Sequence, residues 1–95
     1  FASNDLQALG AYHAAGAAGL RVPRDLSVGG FDDQPFTQRS DPPLTTVRQP
    51  LAQMGATAAE FVLALADGRP VEHERLELPT KLIVRGSTAA PPMSP

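Results

Sequence analysis

The chain contains 95 residues, has a formal net charge of −2 and lacks cysteine. Its length allows one small domain, and without cysteine it has no disulfide, no zinc-thiolate site and no cysteine nucleophile. The eight Lys and Arg residues are scattered, so this stretch has no basic stripe that would bind a nucleic acid.

The first predicted element is a helix. Residues 3–5 are polar and precede apolar residues at helical spacing, which predicts an N-terminal cap and a helix that ends near Gly19. After a turn at residues 22–25, the sequence LSVGGF at residues 26–31 is typical of a short buried strand. Helix, turn and buried strand form half of a βαβ repeat, so we predict an α/β fold with a parallel sheet.

The stretch DPPLTTVRQP, residues 41–50, is a short extended segment between prolines. Such a segment has no obvious use within one compact sheet and is typical of a chain that crosses between two lobes. Pro50 is suited to the first position of a second helix. Apolar residues at spacings of three and four extend this helix to Ala66, and Asp67-Gly68 ends it.

The second helix needs a packing partner. Its apolar face holds about six side chains, each contributing roughly 1.5–3 kcal/mol when fully buried, whereas ordering costs about 1–2 kcal/mol per residue. The rest of the chain offers few elements, so we expect this helix to pack on protein outside the sequence. Because the chain begins at Phe1 rather than at methionine, we also expect a fragment of a longer protein.

Two short strands, or one interrupted strand, are predicted near the end of the chain, at residues 74–78 and 82–84. The composition of the last residues, 89–95, is typical of a disordered tail. No apolar run approaches the roughly 18 residues needed to cross a membrane, and no membrane association is expected.

Asp32 and Asp33, directly after the LSVGGF segment, are the most informative polar residues. Ligands of open parallel sheets bind beyond the carboxyl ends of the strands, and a carboxylate there can accept hydrogen bonds from sugar hydroxyls or purine N–H groups. The alternative is a turn-forming pair that caps the next segment. A general acid–base pair is disfavoured, because neighbouring side chains point apart and no third catalytic group is evident.

Asn4 and Gln49 are the other polar candidates. Asn4 offers a donor and an acceptor at the start of the first helix, which suits either a hydroxyl ligand or plain N-capping. Gln49, at the edge of the crossing segment, is either an exposed residue or a cleft residue. We interpret His13 as a packed or interface histidine, and Glu72-His73-Glu74 as a solvated loop rather than a metal site.

No motif supports catalysis. The sequence has no Gly-rich phosphate loop, no G-x-S-x-G elbow and no H-E-x-x-H, and Gly29-Gly30 lacks the later glycine of a dinucleotide fingerprint. We therefore predict that the protein is not an enzyme and uses no cofactor or metal. An enzyme with Asp32 and Asp33 as catalysts would need partner residues from outside this sequence.

A series of short motifs along nearly the whole chain resembles the C-terminal part of the effector-binding core of LacI/GalR-type transcriptional regulators. These motifs are, in order, Phe1-Ala2-Ser3-Asn4-Asp5-Leu6, Ala8-Leu9-Gly10-Ala11, Gly19-Leu20-Arg21-Val22-Pro23, Asp25-Leu26-Ser27-Val28, Gly30-Phe31-Asp32-Asp33, Pro42-Pro43-Leu44-Thr45-Thr46-Val47, Gln49-Pro50 and Leu78-Pro79. Together they are highly specific, although no single motif is. Gly29 departs from the family pattern, in which a β-branched residue is usual.

The resemblance implies a two-lobed, periplasmic-binding-protein-like (type I) fold, a parallel-sheet αβα sandwich that is incomplete in this chain. Residues 1–48 would belong to the C-terminal lobe. Residues 49–78, with a helix at about 50–66, would belong to the N-terminal lobe. Residues 79–88 would return to the C-terminal lobe as a strand, followed by the tail at 89–95.

The resemblance also implies a cytoplasmic, allosteric homodimer with an N-terminal helix-turn-helix domain, outside this sequence, for operator DNA. Its effector would be a small molecule, with a sugar as the leading expectation. The effector-binding positions that match the family are Asn4, Asp32 and Gln49. The expected dimer-interface residues are Leu9, Tyr12, Phe36 and Ser40. A periplasmic sugar-binding protein of a transporter shares the fold and is the alternative.

Overall fold

The computed structural model describes residues 1–69 and 76–91. The chain forms two compact units: the first contains Phe1–Arg48 and Lys81–Pro95, and the second contains Gln49–Thr80. The chain therefore leaves the first unit after Arg48 and is again part of it from Lys81.

Helix α1 spans Asp5–Ala17 in the first unit, and its predicted existence is confirmed. The helix ends before Gly19, which adopts a φ of 76°, a conformation that glycine reaches without strain. The N–H of Leu20 then donates to the carbonyl oxygen of Ala15 at 2.8 Å, which satisfies one of the carbonyl groups left open at the helix end.

The predicted continuous strand at LSVGGF is not observed. The segment forms one isolated parallel bridge, Gly29 with Thr45, and a second bridge, Asp32 with Arg48, follows directly after it. Its backbone groups are divided among several neighbours: the N–H of Val28 donates to Ser87, and the oxygen of Gly29 accepts from Ala2. The N–H of Gly30 also donates to the carbonyl oxygen of Thr45 at 3.0 Å, but within the described residues these contacts do not extend into a continuous strand.

The two named strands form an antiparallel pair in the described part of the chain, whereas the isolated bridges of Gly29 and Asp32 are parallel. Strand β1, Thr46–Arg48, pairs with strand β2, Lys81–Ile83, and Val47 lies opposite Leu82. The direction follows from the chain path, because β1 leads out of the first unit and β2 leads back into it.

The predicted strand at residues 74–78 and the predicted disordered tail at residues 89–95 are only partly covered by the described residues. Residues 76–78 form no strand, and the rest of that predicted strand, residues 74–75, lies outside the described residues. Within the predicted tail, the N–H of Ala89 donates to Oγ of Ser27 at 3.0 Å. Ala89 is therefore attached to the first unit, whereas residues 92–95 lie outside the described residues.

A small apolar core lies between α1 and the extended segments of the first unit. Its fully or almost fully buried members are Ala8, Val28 and Leu44, and Ala2, Ala11, Tyr12 and Val22 pack against them. A short 3₁₀ helix at Pro35–Gln38 follows Asp33 by two positions, and its residue Thr37 is buried.

The second unit consists mainly of helix α2, Leu51–Ala66, which matches the predicted helix within one residue. Pro50 precedes it as the cap residue, and Gly68 follows its end with a φ of 68°. None of its residues is buried by the described chain. Apolar side chains on this helix are largely exposed to solvent: Leu51, Val62, Leu63 and Leu65. Neither helix of the described ranges has the length and apolarity required to span a membrane.

Candidate functional site

Asn4 caps α1. Its backbone is extended, and its side-chain Oδ1 accepts a hydrogen bond from the N–H of Gln7 at 2.8 Å. The N-capping interpretation is therefore confirmed. Capping occupies the oxygen and not the nitrogen, so the NH₂ group of this half-buried side chain can still donate to a ligand.

Asp5, the first residue of α1, connects the helix to the loop that contains Asp32. Its N–H donates to the carbonyl oxygen of Phe31 at 3.1 Å, and its Oδ2 accepts from the N–H of Gln34 at 2.7 Å. Asn4 precedes Asp5 and Asp32 follows Phe31, so these two predicted effector residues flank the same backbone hydrogen bond. The structure thus brings them to neighbouring positions.

The Asp32 loop, defined here as residues 31–34, has an unusual backbone. Asp32 has a φ of 114° and Asp33 a φ of 60°, values that are uncommon for residues with a Cβ. The N–H of Asp32 donates to the carbonyl oxygen of Val47 at 2.9 Å, and its backbone bridges to Arg48. The loop is therefore attached to β1 directly beside the point where the chain leaves the first unit.

Asp33 lies at the centre of a charged cluster. Its Oδ2 accepts from Nε of Arg48 at 2.7 Å, and its Oδ1 accepts from Nη2 of Arg85 at 2.8 Å. The hydroxyl of Thr37 lies 3.0 Å from the same Oδ1. Only 5% of the Asp33 side chain is exposed, so both ion pairs are shielded from water on the carboxylate side.

Hydrogen bonding controls the ionisation of Asp33. Burial alone would raise the pKa of its carboxyl group, but the hydrogen bonds from Arg48, Arg85 and Thr37 outweigh burial and hold the pKa below its usual value. Asp33 is therefore a carboxylate at neutral pH with both oxygens engaged. This arrangement disfavours the acid–base pair, which would require a carboxyl group that exchanges protons near neutral pH.

Sequence reasoning missed Arg85 entirely. Its guanidinium donates to Asp33, and Nη1 also donates to the carbonyl oxygen of Leu44 and to Oγ1 of Thr37, each at 2.9 Å. A lone arginine after a short apolar run gave no local indication of this role. For Asp5, the sequence pattern indicates only a place in the polar cluster that caps α1. The structure shows that Asp5 is fully buried.

Gln49 lies in the second unit, whereas Asn4 and Asp32 lie in the first. Gln49 is half-buried, and its carbonyl oxygen accepts from the N–H of Leu51 at the start of α2. It lines a mainly apolar cavity of about 280 Å³ within the second unit, formed by one face of α2 and residues 76–80. Gln49 and the cluster around Asp5 therefore belong to different units of the chain.

The expected interface residues lie on α1 and around the 3₁₀ helix. Leu9 and Phe36 are half-buried. The hydroxyl of Tyr12 donates to the carbonyl oxygen of Pro42 at 2.8 Å, and Oγ of Ser40 lies 2.9 Å from the same oxygen. Burial raises the pKa of Tyr12, so this phenol remains protonated and a donor at neutral pH.

The described residues contain no group of three or more side chains suited to a metal ion. His13 is exposed on α1 rather than packed, and Glu72-His73-Glu74 lies outside the described residues. The first unit contains an amide and a carboxylate, those of Asn4 and Asp32, on either side of the Asp5–Phe31 hydrogen bond, and these two group types can bind hydroxyl groups.

A family model described as a periplasmic binding protein-like domain matches residues 1–88. The chain belongs to this family. Among curated proteins, the HTH-type transcriptional regulator MalR of Streptomyces coelicolor is 48% identical over 90 residues, which cover 95% of this chain and 26% of MalR. The chain thus spans about a quarter of the length of this relative.

Solved structures give the same result. The lac repressor dimer bound to operator and the anti-inducer ONPF has a TM-score of 0.84 and 41% identity, over 93% of this chain and 30% of that one. A LacI family regulator of Enterococcus faecium with bound ribose has a TM-score of 0.82 and 33% identity, over 97% of this chain and 34% of that one. The resemblance to the core of LacI-type regulators is confirmed, and with it the periplasmic-binding-protein-like fold.

Proposed function

We propose that this chain is the effector-binding and dimerisation portion of a LacI-type DNA-binding transcriptional regulator that responds to a small molecule, most simply a sugar. The observation that supports this most directly is the placement of Asn4 and Asp32 on either side of the Asp5–Phe31 hydrogen bond. An amide donor and a carboxylate acceptor on either side of one hydrogen bond suit the vicinal hydroxyls of a sugar.

The division of the chain supports an assignment to two lobes. The first unit, Phe1–Arg48 with Lys81–Pro95, would belong to the C-terminal lobe of a two-lobed parallel-sheet sandwich. The second unit, Gln49–Thr80, would belong to the N-terminal lobe, where the apolar side chains of α2 would be covered by protein outside this sequence. Gln49 would then contribute to the effector site from the second lobe.

Regulation would follow from differential affinity. A ligand that binds one arrangement of the two lobes more tightly than the other shifts the population toward that arrangement, and the shift is coupled to operator binding. Operator binding itself would require a helix-turn-helix domain outside this sequence. The lac repressor structure is a dimer on its operator, and a cytoplasmic homodimer with contacts from Leu9, Tyr12, Phe36 and Ser40 is the assembly we propose here.

The ligand class is inferred from the site and from relatives. The Enterococcus faecium regulator was crystallised with ribose. A second relative of this chain is the ribose operon repressor of Halalkalibacterium halodurans. These relatives are regulators rather than transporter components, so they favour a regulator over a periplasmic sugar-binding protein. They also favour a non-enzymatic role for the Asp32 loop.

The proposal is tested by Asp32→Ala in the full-length protein. We expect the substitution to abolish the response to effector and to leave operator affinity in the absence of effector largely unchanged. Effector affinity is measured by calorimetry with ribose and a panel of other pentoses, hexoses and disaccharides, and operator affinity by fluorescence anisotropy. Asp67→Asn, in an exposed pair with Arg69, is the matched control. Unchanged effector affinity in Asp32→Ala would refute the assignment.

A further inference from the structure

The carboxylate of Asp33 joins the two segments by which the chain leaves and re-enters the first unit. Arg48 is the last residue of the outgoing strand β1, and Arg85 follows the incoming strand β2 by two positions. Each arginine donates to a different oxygen of Asp33, at 2.7 and 2.8 Å. One buried carboxylate therefore holds both crossing segments, which we define as residues 45–48 and 81–85.

The same segments are attached to the Asp32 loop through the backbone. Asp32 donates its N–H to Val47 and bridges to Arg48, so consecutive residues of the loop bind β1, one by main chain and one by side chain. The N–H of Arg85 also donates to Oγ1 of Thr45 at 2.9 Å. The loop and both crossing segments thus form one hydrogen-bonded network around Asp33.

The backbone of the loop requires this network. Positive φ angles at two consecutive residues with side chains, Asp32 and Asp33, cost free energy and persist only where surrounding contacts determine the conformation. The ion pairs are charge-assisted and largely buried on the carboxylate side, which makes them stronger than exposed pairs. Loss of the Asp33 charge would release the loop and the crossing segments together.

We propose that Asp33 is a positioning residue that makes the Asp32 loop and the two crossing segments move as one body, so that effector contact at Asp32 is transmitted to both connections between the units. The inference rests on the proposed function for its regulatory meaning. Asp33 itself does not contact effector in this scheme, because both of its oxygens are already bound to arginine.

The test is native-state hydrogen exchange of the full-length protein, read by mass spectrometry, without any ligand. In Asp33→Asn we expect peptides covering the Asp32 loop and both crossing segments to exchange about tenfold faster or more, since charge-assisted hydrogen bonds are lost. Amides in the middle of α1 and in α2 should keep their rates. If amide exchange became faster in all peptides, Asp33→Asn would have destabilised the whole protein. If the exchange rates did not change, the Asp33 cluster would not stabilise the loop or the crossing segments. Either result overturns the proposal.

Variants at the half-exposed partner provide a second measurement that does not depend on Asp33→Asn folding. Arg48→Gln should accelerate exchange in the Asp32 loop, and Arg48→Lys, which keeps the charge, should restore part of the protection. In the Asp33→Asn/Arg48→Gln double variant the effects should be less than additive, because both substitutions remove one interaction. The exposed pair of Asp67 and Arg69 provides the control, with no change expected in Asp67→Asn. Full additivity would contradict the proposal.

Measurements of effector affinity in two variants distinguish a failure of this inference from a failure of the proposed function. With the sugar panel described above, Asp33→Asn should retain effector affinity within about threefold, whereas Asp32→Ala should lose it. If Asp33→Asn loses affinity as completely as Asp32→Ala, Asp33 is a ligand-binding residue and the positioning role is wrong. If Asp32→Ala retains its affinity, the proposed function fails, while the exchange measurements still decide whether Asp33 holds the segments together.

Discussion

Oδ1 of Asp5 accepts a hydrogen bond from the hydroxyl of Thr46 at 2.6 Å, between two side chains that are 0% and 1% exposed. The other oxygen of Asp5 accepts from the N–H of Gln34. A single buried carboxylate therefore joins the start of α1, strand β1 and the Asp32 loop. This contact fixes the relative positions of the elements that present the proposed effector residues.

Removal of the Thr46 hydroxyl tests the stabilising role of this contact. Thr46→Val keeps the shape of the side chain but leaves Oδ1 of Asp5 without its buried donor, which we expect to lower the free energy of unfolding by about 1–3 kcal/mol. Urea unfolding of the full-length protein measures the loss. Thr46→Ser keeps the hydroxyl and should cost less than Thr46→Val. Equal losses in the two variants would show that packing of the methyl group, rather than the hydrogen bond, is decisive.

Gly30 is required by the close approach of Asp5. A Cβ at Gly30 would lie 2.6 Å from Oδ1 of Asp5, 3.2 Å from its Cα and 3.0 Å from Cδ2 of Leu44. Because two of these atoms belong to buried side chains and one to the backbone, Gly30→Ala should destabilise the protein by about 1–3 kcal/mol. Gly29→Ala is the matched control, since its nearest neighbours lie 3.8 Å away. Thermal or urea unfolding that ranks the two variants equally would contradict the steric argument.

The contribution of Asp33 to stability should depend on pH. The folded-state pKa of Asp33 lies below the unfolded value, so its ion pairs stabilise the fold fully above the unfolded pKa, near 3.9. This stabilisation is lost as the pH falls through the folded pKa. The groups that face the carboxyl group are Arg48, Arg85 and Thr37.

Unfolding free energies of the parent protein and of Asp33→Asn, compared across pH, test this dependence. Asp33→Asn should be less stable than the parent at pH 7, and the difference should shrink below about pH 4. The Asp67→Asn variant, whose carboxylate is exposed, provides the baseline for surface charge. A constant difference between the parent and Asp33→Asn from neutral to acidic pH would show that ionisation of Asp33 does not stabilise the fold.

The helices could be predicted from the sequence because their signals are local. Asn4 at the cap of α1 and Gly68 after α2 each act within a few residues of the helix end. The sheet was harder to predict, because the pairing of Thr46 with Ile83 joins residues far apart in the chain. Alternation of polar and apolar residues indicates a strand but not its partner or its direction.

The different contacts made by Asp32 and Asp33 could not be predicted from the sequence. Asp32 and Asp33 are identical neighbours in the sequence, and no local pattern separates them. Their difference arises from Arg85, which is 52 positions away from Asp33 and pairs with it across the fold. The family resemblance singled out Asp32, whereas only the three-dimensional contacts reveal that Asp33 is bound on both oxygens.

The exposed face of α2 predicts self-association of the 95-residue chain when it is produced alone. Val62 and Leu65 are 64% and 68% exposed, and burial of each such side chain contributes about 1.5–3 kcal/mol. Contiguous apolar surface of this kind drives association, so light scattering should detect dimers or larger species that increase with concentration. Val62→Gln/Leu65→Gln should reduce the association, whereas Glu60→Gln on the same helix should not. A monodisperse monomer at high concentration would show that α2 needs no covering partner.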